Sequence, residues 1–165
     1  MMNTIEIHVD GAAQTLTLFK QHKRYKDYLI STGARGFGEQ KGSYQTPRGW
    51  HQIRAKIGTD CPSNTVFVGR RATGEIYSPA LGLQYPGRDW MLTRLLWLSG
   101  LEVGKNRLGN VDTLRRYIYI HGAPDTTELG KPGSHGCIRM RNSDLIELFE
   151  LLPLGTKVLI EAKPS

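Results

Sequence analysis

Two residue types able to carry out acyl transfer lie close together in the last third of the chain. His121 is followed at once by Gly122, and Cys137 comes sixteen residues after the histidine. Ser134-His135-Gly136 precedes the cysteine and Ile138-Arg139-Met140 follows it. The thiolate is the reactive form of cysteine, and a neighbouring imidazolium lowers the thiol pKa from about 8.5. Gly136 has no Cβ, so a substrate carbonyl can approach the backbone there. The amides of Gly136 and Cys137 would then face a developing oxyanion. This is the pattern of Cys/His acyl transfer. Two other readings of the same residues stay open at this point. In one, Cys137 is a buried, inert thiol and both histidines are ordinary. In the other, His121, His135 and Cys137 bind zinc, although the paired spacing of familiar zinc sites is missing.

The elements around these residues must place them. Tyr117, Tyr119 and His121 are spaced by two, so on a strand they share one face, while Ile118 and Ile120 point into the core. Tyr119 then either lines the site and donates a hydrogen bond or lies half-exposed on a solvated sheet. β-Branched and aromatic content makes 117–120 a strand. Alternation of Ile5, Ile7 and Val9, then Leu16 and Leu18, around Asp10-Gly11 reads as a hairpin with a lengthened loop. Residues 25–31 and 65–69 read as strands, the latter pairing with 75–77 across Thr73-Gly74. Residues 32–49 carry five glycines and read as long loops, with 33–49 the candidate for a mobile segment. The run 91–98 fits strand or helix. Leu145, Leu148, Phe149 and Leu152 share one helical face. Asn142 is the expected N-cap, Asp144 favours the first turn, and Pro153 ends the helix. Residues 156–161 close the chain as a strand.

Composition narrows the function classes. At 165 residues, the chain reads as a single domain spanning 1–165. Its 22 basic and 15 acidic residues leave a net charge of +7. That balance suits nucleic acid, an anionic surface or a carboxylate-rich substrate. No basic module interleaved with stacking aromatics is present, so nucleic acid is not expected. No stretch of about 20 apolar residues exists, so no membrane partner is expected either. The first ten residues lack a basic segment followed by an apolar one, which gives a cytoplasmic expectation. Arg115-Arg116 and His22-Lys23-Arg24 read as solvated surface. Trp50, Trp90 and Trp97 read as core or cleft residues. Two cysteines exclude a disulfide scaffold. Cys61 reads as a buried or incidental thiol, because a bridge to Cys137 would block the nucleophile.

The run His121-Gly122 … Ser134-His135-Gly136-Cys137-Ile138-Arg139-Met140 resembles the signature of the YkuD-like L,D-transpeptidase catalytic domain family. Ser31-Thr32-Gly33, Thr46-Pro47-Arg48-Gly49 and Thr93-Arg94 extend the resemblance over roughly 25–162. It implies a mainly β fold, a YkuD-like β-sandwich with a short helix after the cysteine, and it makes 91–98 a strand. It implies Cys137 as nucleophile, His121 as base and the Gly122 carbonyl as the group orienting the imidazole. His135 and Gly136 would frame the oxyanion site. Ser134, Arg139 and Tyr119 are the expected substrate-binding residues, with Arg139 or Arg141 gripping carboxylates. No cofactor and no metal are implied. The implied substrate is a peptidoglycan stem tetrapeptide or muropeptide, attacked by a Cys137 thiolate beside a His121 imidazolium to give a thioester. A carbapenem adduct at Cys137 is implied as well. With a cytoplasmic location, L,D-carboxypeptidase activity in muropeptide recycling is the expectation. The alternative is a periplasmic L,D-transpeptidase making 3-3 cross-links or exchanging D-amino acids.

Overall fold

The computed structural model describes residues 4–163. Ten strands form one sheet: β1 (Ile5–Asp10), β2 (Thr15–Lys20), β3 (Lys23–Ser31), β4 (Gly49–Ile57), β5 (Thr65–Val68), β6 (Arg71–Ile76), β7 (Met91–Gly100), β8 (Tyr119–Gly122), β9 (Ile138–Met140) and β10 (Lys157–Glu161). Their order is β4-β10-β1-β2-β3-β9-β8-β7-β5-β6. β4 also pairs with β7, so eight strands close on themselves and the β5–β6 hairpin branches off. The mainly β sandwich expected from sequence is present, with its edges joined. Closure removes exposed strand edges everywhere except on the branch.

The apolar alternation does what it promised. Ile7 and Val9 on β1 pair with Leu18 and Leu16 on β2, and all four are buried. The lengthened loop is an Asx-type turn in which Asp10 Oδ1 accepts from the amides of Ala12 at 2.9 Å and Ala13 at 3.0 Å. Residues 91–98 lie within β7, which pairs with β4, β5 and β8. Helix α2 (Asn142–Leu151) packs Leu145, Leu148 and Phe149 into the same core as Ile120, Ile138 and Met140. A short helix α1 (Pro79–Gln84), capped by Ser78 with proline in its first turn, has no counterpart in the sequence reading. Among the described residues no helix is long and apolar enough to cross a membrane.

Three local expectations are corrected. The N-cap of α2 is Arg141, and the Asn142 side chain is buried instead of capping. The β5–β6 turn is Gly69-Arg70, with φ of 56° and 66°, not Thr73-Gly74. Two adjacent left-handed residues match the twist of a two-residue hairpin, and Gly74 hid that turn. Tyr117 lies outside β8 in a turn with φ of 57°.

Candidate active site

β8 and β9 run parallel, with Ile120 opposite Ile138 and His121 opposite Arg139. Ile120 and Ile138 are fully buried in the core. Strand alternation therefore puts Tyr119, His121, Arg139 and Cys137, which immediately precedes β9, on the other face.

His121 is 1% exposed. Its Nδ1 lies 2.7 Å from the Gly122 carbonyl oxygen. A carbonyl only accepts, so the proton sits on Nδ1 and Nε2 keeps its lone pair. Nε2 has no hydrogen-bond partner among the described residues. Gly122 is itself tightly enclosed. A Cβ on Gly122 would lie 2.1 Å from Asn142 Oδ1 and 2.7 Å from the Leu92 oxygen, so only glycine fits. Asn142 Oδ1 accepts from Thr93 Oγ1 at 2.7 Å, and Nδ2 donates to the Ala123 oxygen at 2.9 Å and to Asn64 Oδ1 at 3.1 Å. Thr93 sits in a bulge of β7 with φ of 78°. For a β-branched residue that conformation costs on the order of 1–3 kcal/mol. The strained bulge and Asn142 pack closely around Gly122, the residue whose carbonyl meets His121.

Cys137 is 8% exposed and packs with Phe67, Leu95 and Tyr119. Its Sγ accepts from the Tyr119 amide at 3.3 Å and, as a thiol, donates to the Tyr117 oxygen at 3.5 Å. Burial pushes the thiol up to about 12, despite the opposing Tyr119 amide and the charges of Arg139 and Arg116. Burial also holds His121 below its ordinary value, against the pull of the Gly122 carbonyl and Asp89. Burial therefore works against both members of the thiolate–imidazolium pair expected from sequence. The arrangement suits proton transfer to Nε2 as sulfur attacks.

The loop before the cysteine is tied from both sides. Ser134 Oγ donates to the Cys137 carbonyl and accepts from the Gly136 amide, the latter at 3.1 Å. The Gly136 amide is therefore committed to Ser134, contrary to its expected role facing an oxyanion. Gly136 has φ of 118°, a conformation that side chains resist. Its carbonyl accepts from Thr46 Oγ1 at 2.9 Å, and Thr46 Oγ1 accepts from the Gly33 amide at 2.8 Å. Arg116 donates to the Gln45 oxygen at 2.6 Å, the Gly38 oxygen at 3.3 Å and Ser43 Oγ at 3.3 Å. Arg116 is a half-buried clamp, not solvated surface. Segment 33–49, expected to be mobile, is pinned by these bonds.

The expected carboxylate-binding arginines are already engaged. Arg139 donates to Asp89 Oδ1 at 3.1 Å and to the Gly133 oxygen at 3.0 Å. Arg141 lies 3.7 Å from Asp144 Oδ2. Burial alone would raise Asp89, but His121, Arg139 and His135 outweigh it and hold the carboxyl below the usual range. The His135 side chain is 66% exposed, with Nδ1 3.5 Å from Asp89 Oδ2. It faces Asp89, so the three ligands of the zinc reading do not converge, and no cluster of three such ligands forms among the described residues. Tyr119 is 3% exposed and meets the nucleophile through its amide, while its hydroxyl accepts from Arg70 Nη1 at 3.2 Å. Both cysteines are free, and Cys61 is half-buried against the Cys137 cluster. Trp90 lines a cleft of about 270 Å³ with Asp89, His135 and Arg139. Sequence reasoning placed none of Asp89, Asn142, Arg116 and Arg70 at the site. Only Thr46 and Thr93 carried a signal, as positions of the family resemblance.

A thiol and an imidazole whose Nε2 is unpartnered among the described residues thus share one face of the paired strands β8 and β9. The YkuD family model, L,D-transpeptidase catalytic domain, matches residues 4–160, and the chain belongs to this family of acyltransferases. The chain is 43% identical over 120 residues to the probable L,D-transpeptidase YbiS of Escherichia coli, covering 66% of this chain and 36% of that protein. It is 46% identical over 46 residues to YkuD, a Bacillus subtilis protein named as an L,D-transpeptidase, covering 28% of each. The aligned part thus spans about a quarter to a third of these relatives. The fold is also that of L,D-transpeptidase 3 from Mycobacterium tuberculosis in complex with a faropenem-derived adduct. There the TM-score is 0.60 at 14% identity, covering 96% of this chain and 60% of that one.

Proposed function

We propose that the protein is a cysteine L,D-carboxypeptidase that removes the terminal D-alanine from peptidoglycan stem tetrapeptides. The observation that carries the reading is the His121 tautomer: Nδ1–H held on the Gly122 carbonyl, Nε2 open on the face that carries Cys137. In acylation, Cys137 Sγ attacks the carbonyl preceding D-alanine while Nε2 takes the thiol proton. The Cys137 amide holds the oxyanion. The C–N bond breaks, His121 returns the proton to the leaving amine, and a tripeptidyl thioester remains. Water then attacks, Nε2 takes its proton, the C–S bond breaks and the thiol is restored.

Hydrolysis is favoured over amine transfer by the state of Asp89. A carboxylate beside the site is the natural anchor for an acceptor ammonium, yet Asp89 is occupied by Arg139 and His135. Water needs no such anchor. The test is product analysis of a tetrapeptide muropeptide incubated with the protein, with and without excess D-amino acid, beside Cys137→Ala. Tripeptide as the main product in both arms supports the reading. Cross-linked dimer or exchanged tetrapeptide overturns it in favour of a transpeptidase. We further propose that a carbapenem acylates Cys137. Intact mass would then rise by one drug equivalent in the wild type and stay unchanged in Cys137→Ala.

A further inference from the structure

Arg70 occupies the tip of the β5–β6 hairpin. Its guanidinium carbon lies 4.7 Å from the Tyr117 ring centroid and 5.1 Å from that of Trp97, and Nη1 donates to Tyr119 Oη at 3.2 Å. Each of these neighbours also belongs to the surroundings of the nucleophile. The Tyr119 amide donates to Sγ, the Tyr117 carbonyl accepts a hydrogen bond from the thiol, and Trp97 packs against the cluster holding Cys137.

Three other arginines of the region are already engaged. Arg139 is on Asp89, Arg88 is on Glu75 at 2.9 Å, and Arg116 is spread over Gly38, Ser43 and Gln45. Arg70 has no carboxylate partner among the described residues. Stacking on two rings fixes the plane of the guanidinium, and one bond to a phenol leaves further N–H groups of the fork open. Tyr119 Oη accepts from Arg70 and so keeps its own proton to donate. Together they offer a planar cation and a hydroxyl donor, the partners a carboxylate takes in bidentate fashion. A carboxylate one residue beyond the attacked carbonyl lies within about 3.8 Å of chain per residue. Tyr119 links the two groups, its amide on Sγ and its hydroxyl on Arg70.

We propose that Arg70, seconded by Tyr119 Oη, binds the free C-terminal carboxylate of the D-amino acid that leaves during acylation. Arg70 thereby restricts cleavage to the last peptide bond of a stem peptide with an unblocked terminus. This rests on the acyl-transfer reading above and names the group that selects its substrate. The restriction supplies exopeptidase specificity without a closed pocket end.

The test compares a tetrapeptide ending in D-alanine with the same peptide ending in D-alaninamide, using wild type, Arg70→Gln and Arg70→Lys. The wild type is expected to favour the free acid by about 10- to 100-fold in kcat/KM, the range of a charge-assisted pair. Arg70→Gln should lose that preference through a raised KM for the acid, with the amide within about threefold of wild type. Arg70→Lys should keep part of it, having charge without the fork. Equal use of both peptides by the wild type overturns the proposal without any variant. An equal loss on both peptides in Arg70→Gln also overturns it, because that is the mark of a purely structural contact. Failure of the wild type to cleave either peptide removes the acyl-transfer reading itself, a result distinct from the other two.

Discussion

The molecule contains two buried histidines built almost alike, one in the wall of the fold and one in the site. His51 on β4 is 0% exposed and His121 on β8 is 1% exposed. Each turns Nδ1 to a backbone carbonyl, Gly49 at 3.0 Å and Gly122 at 2.7 Å. Burial lowers both pKa values, that of His51 to about 4. The difference lies at Nε2. Thr113 Oγ1 sits 2.9 Å from Nε2 of His51 and, since Nδ1 holds the proton, donates to it. Nε2 of His121 is left open on the cysteine face. Burial and tautomer are therefore common property of a structural and a catalytic histidine. An unspent lone pair on the face of Cys137 is what the proposed mechanism assigns to the base.

That contrast can be broken most severely at the site. Cys137→Ala should reduce tripeptide release to background. His121→Asn should lower kcat/KM by about 10²- to 10⁴-fold with little change in melting temperature. His51→Asn should do the reverse, keeping kcat/KM within about threefold of wild type. It leaves the Thr113 hydroxyl unmatched and should cost about 1–3 kcal/mol in a denaturant titration. If both variants lose activity alike, the contrast fails.

A smaller effect is expected one contact away. Asn142→Ala removes the amide that bonds Thr93 and packs on Gly122, loosening the residue whose carbonyl meets His121. A misplacement of about 1 Å costs up to about 100-fold in rate. Turnover should fall accordingly and the acid limb of kcat/KM should move, which stability loss alone would not produce.

The pH dependences sharpen the comparison. Folded His51 titrates at about 4, below its ordinary 6.5. Between these values the unfolded chain binds the proton more readily. Stability is therefore full above pH 6.5, falls as pH drops toward 4 and then levels, by about 3 kcal/mol for this group. His51→Gln should flatten that fall, as read by melting temperature across the range. His121 acts on activity instead, so kcat/KM should hold through neutrality and decline below pH 6.5. The smallest effect is chemical. With its thiol pushed to about 12, Cys137 should react with iodoacetamide at pH 7.5 more slowly than free cysteine, as followed by intact mass.

Much of this was legible in the sequence, and for identifiable reasons. Period-two alternation located the β1–β2 hairpin, and 3.6-residue spacing located α2, because burial imposes both patterns. The His121–Cys137 spacing pointed to the chemistry through family resemblance. What stayed hidden depends on contacts distant along the chain. Asn142 has the residue type of a cap, and only the bulge at Thr93 draws it inward. Arg139 was assigned to substrate because Asp89, fifty residues earlier, is invisible as its partner. Arg70 gave no signal, since its two-residue turn was masked by Thr73-Gly74. The burial that works against both charges was also hidden, because burial is a property of the fold and not of the motif.

The central claim is that Cys137 carries the acyl group and His121 moves the proton. Its most direct test is rapid-quench intact mass spectrometry of the protein mixed with tetrapeptide. The predicted result is a tripeptidyl adduct on Cys137, matched by one equivalent of released D-alanine and absent in Cys137→Ala. Tripeptide formed with no adduct on the protein, or formed equally by Cys137→Ala, would contradict the account.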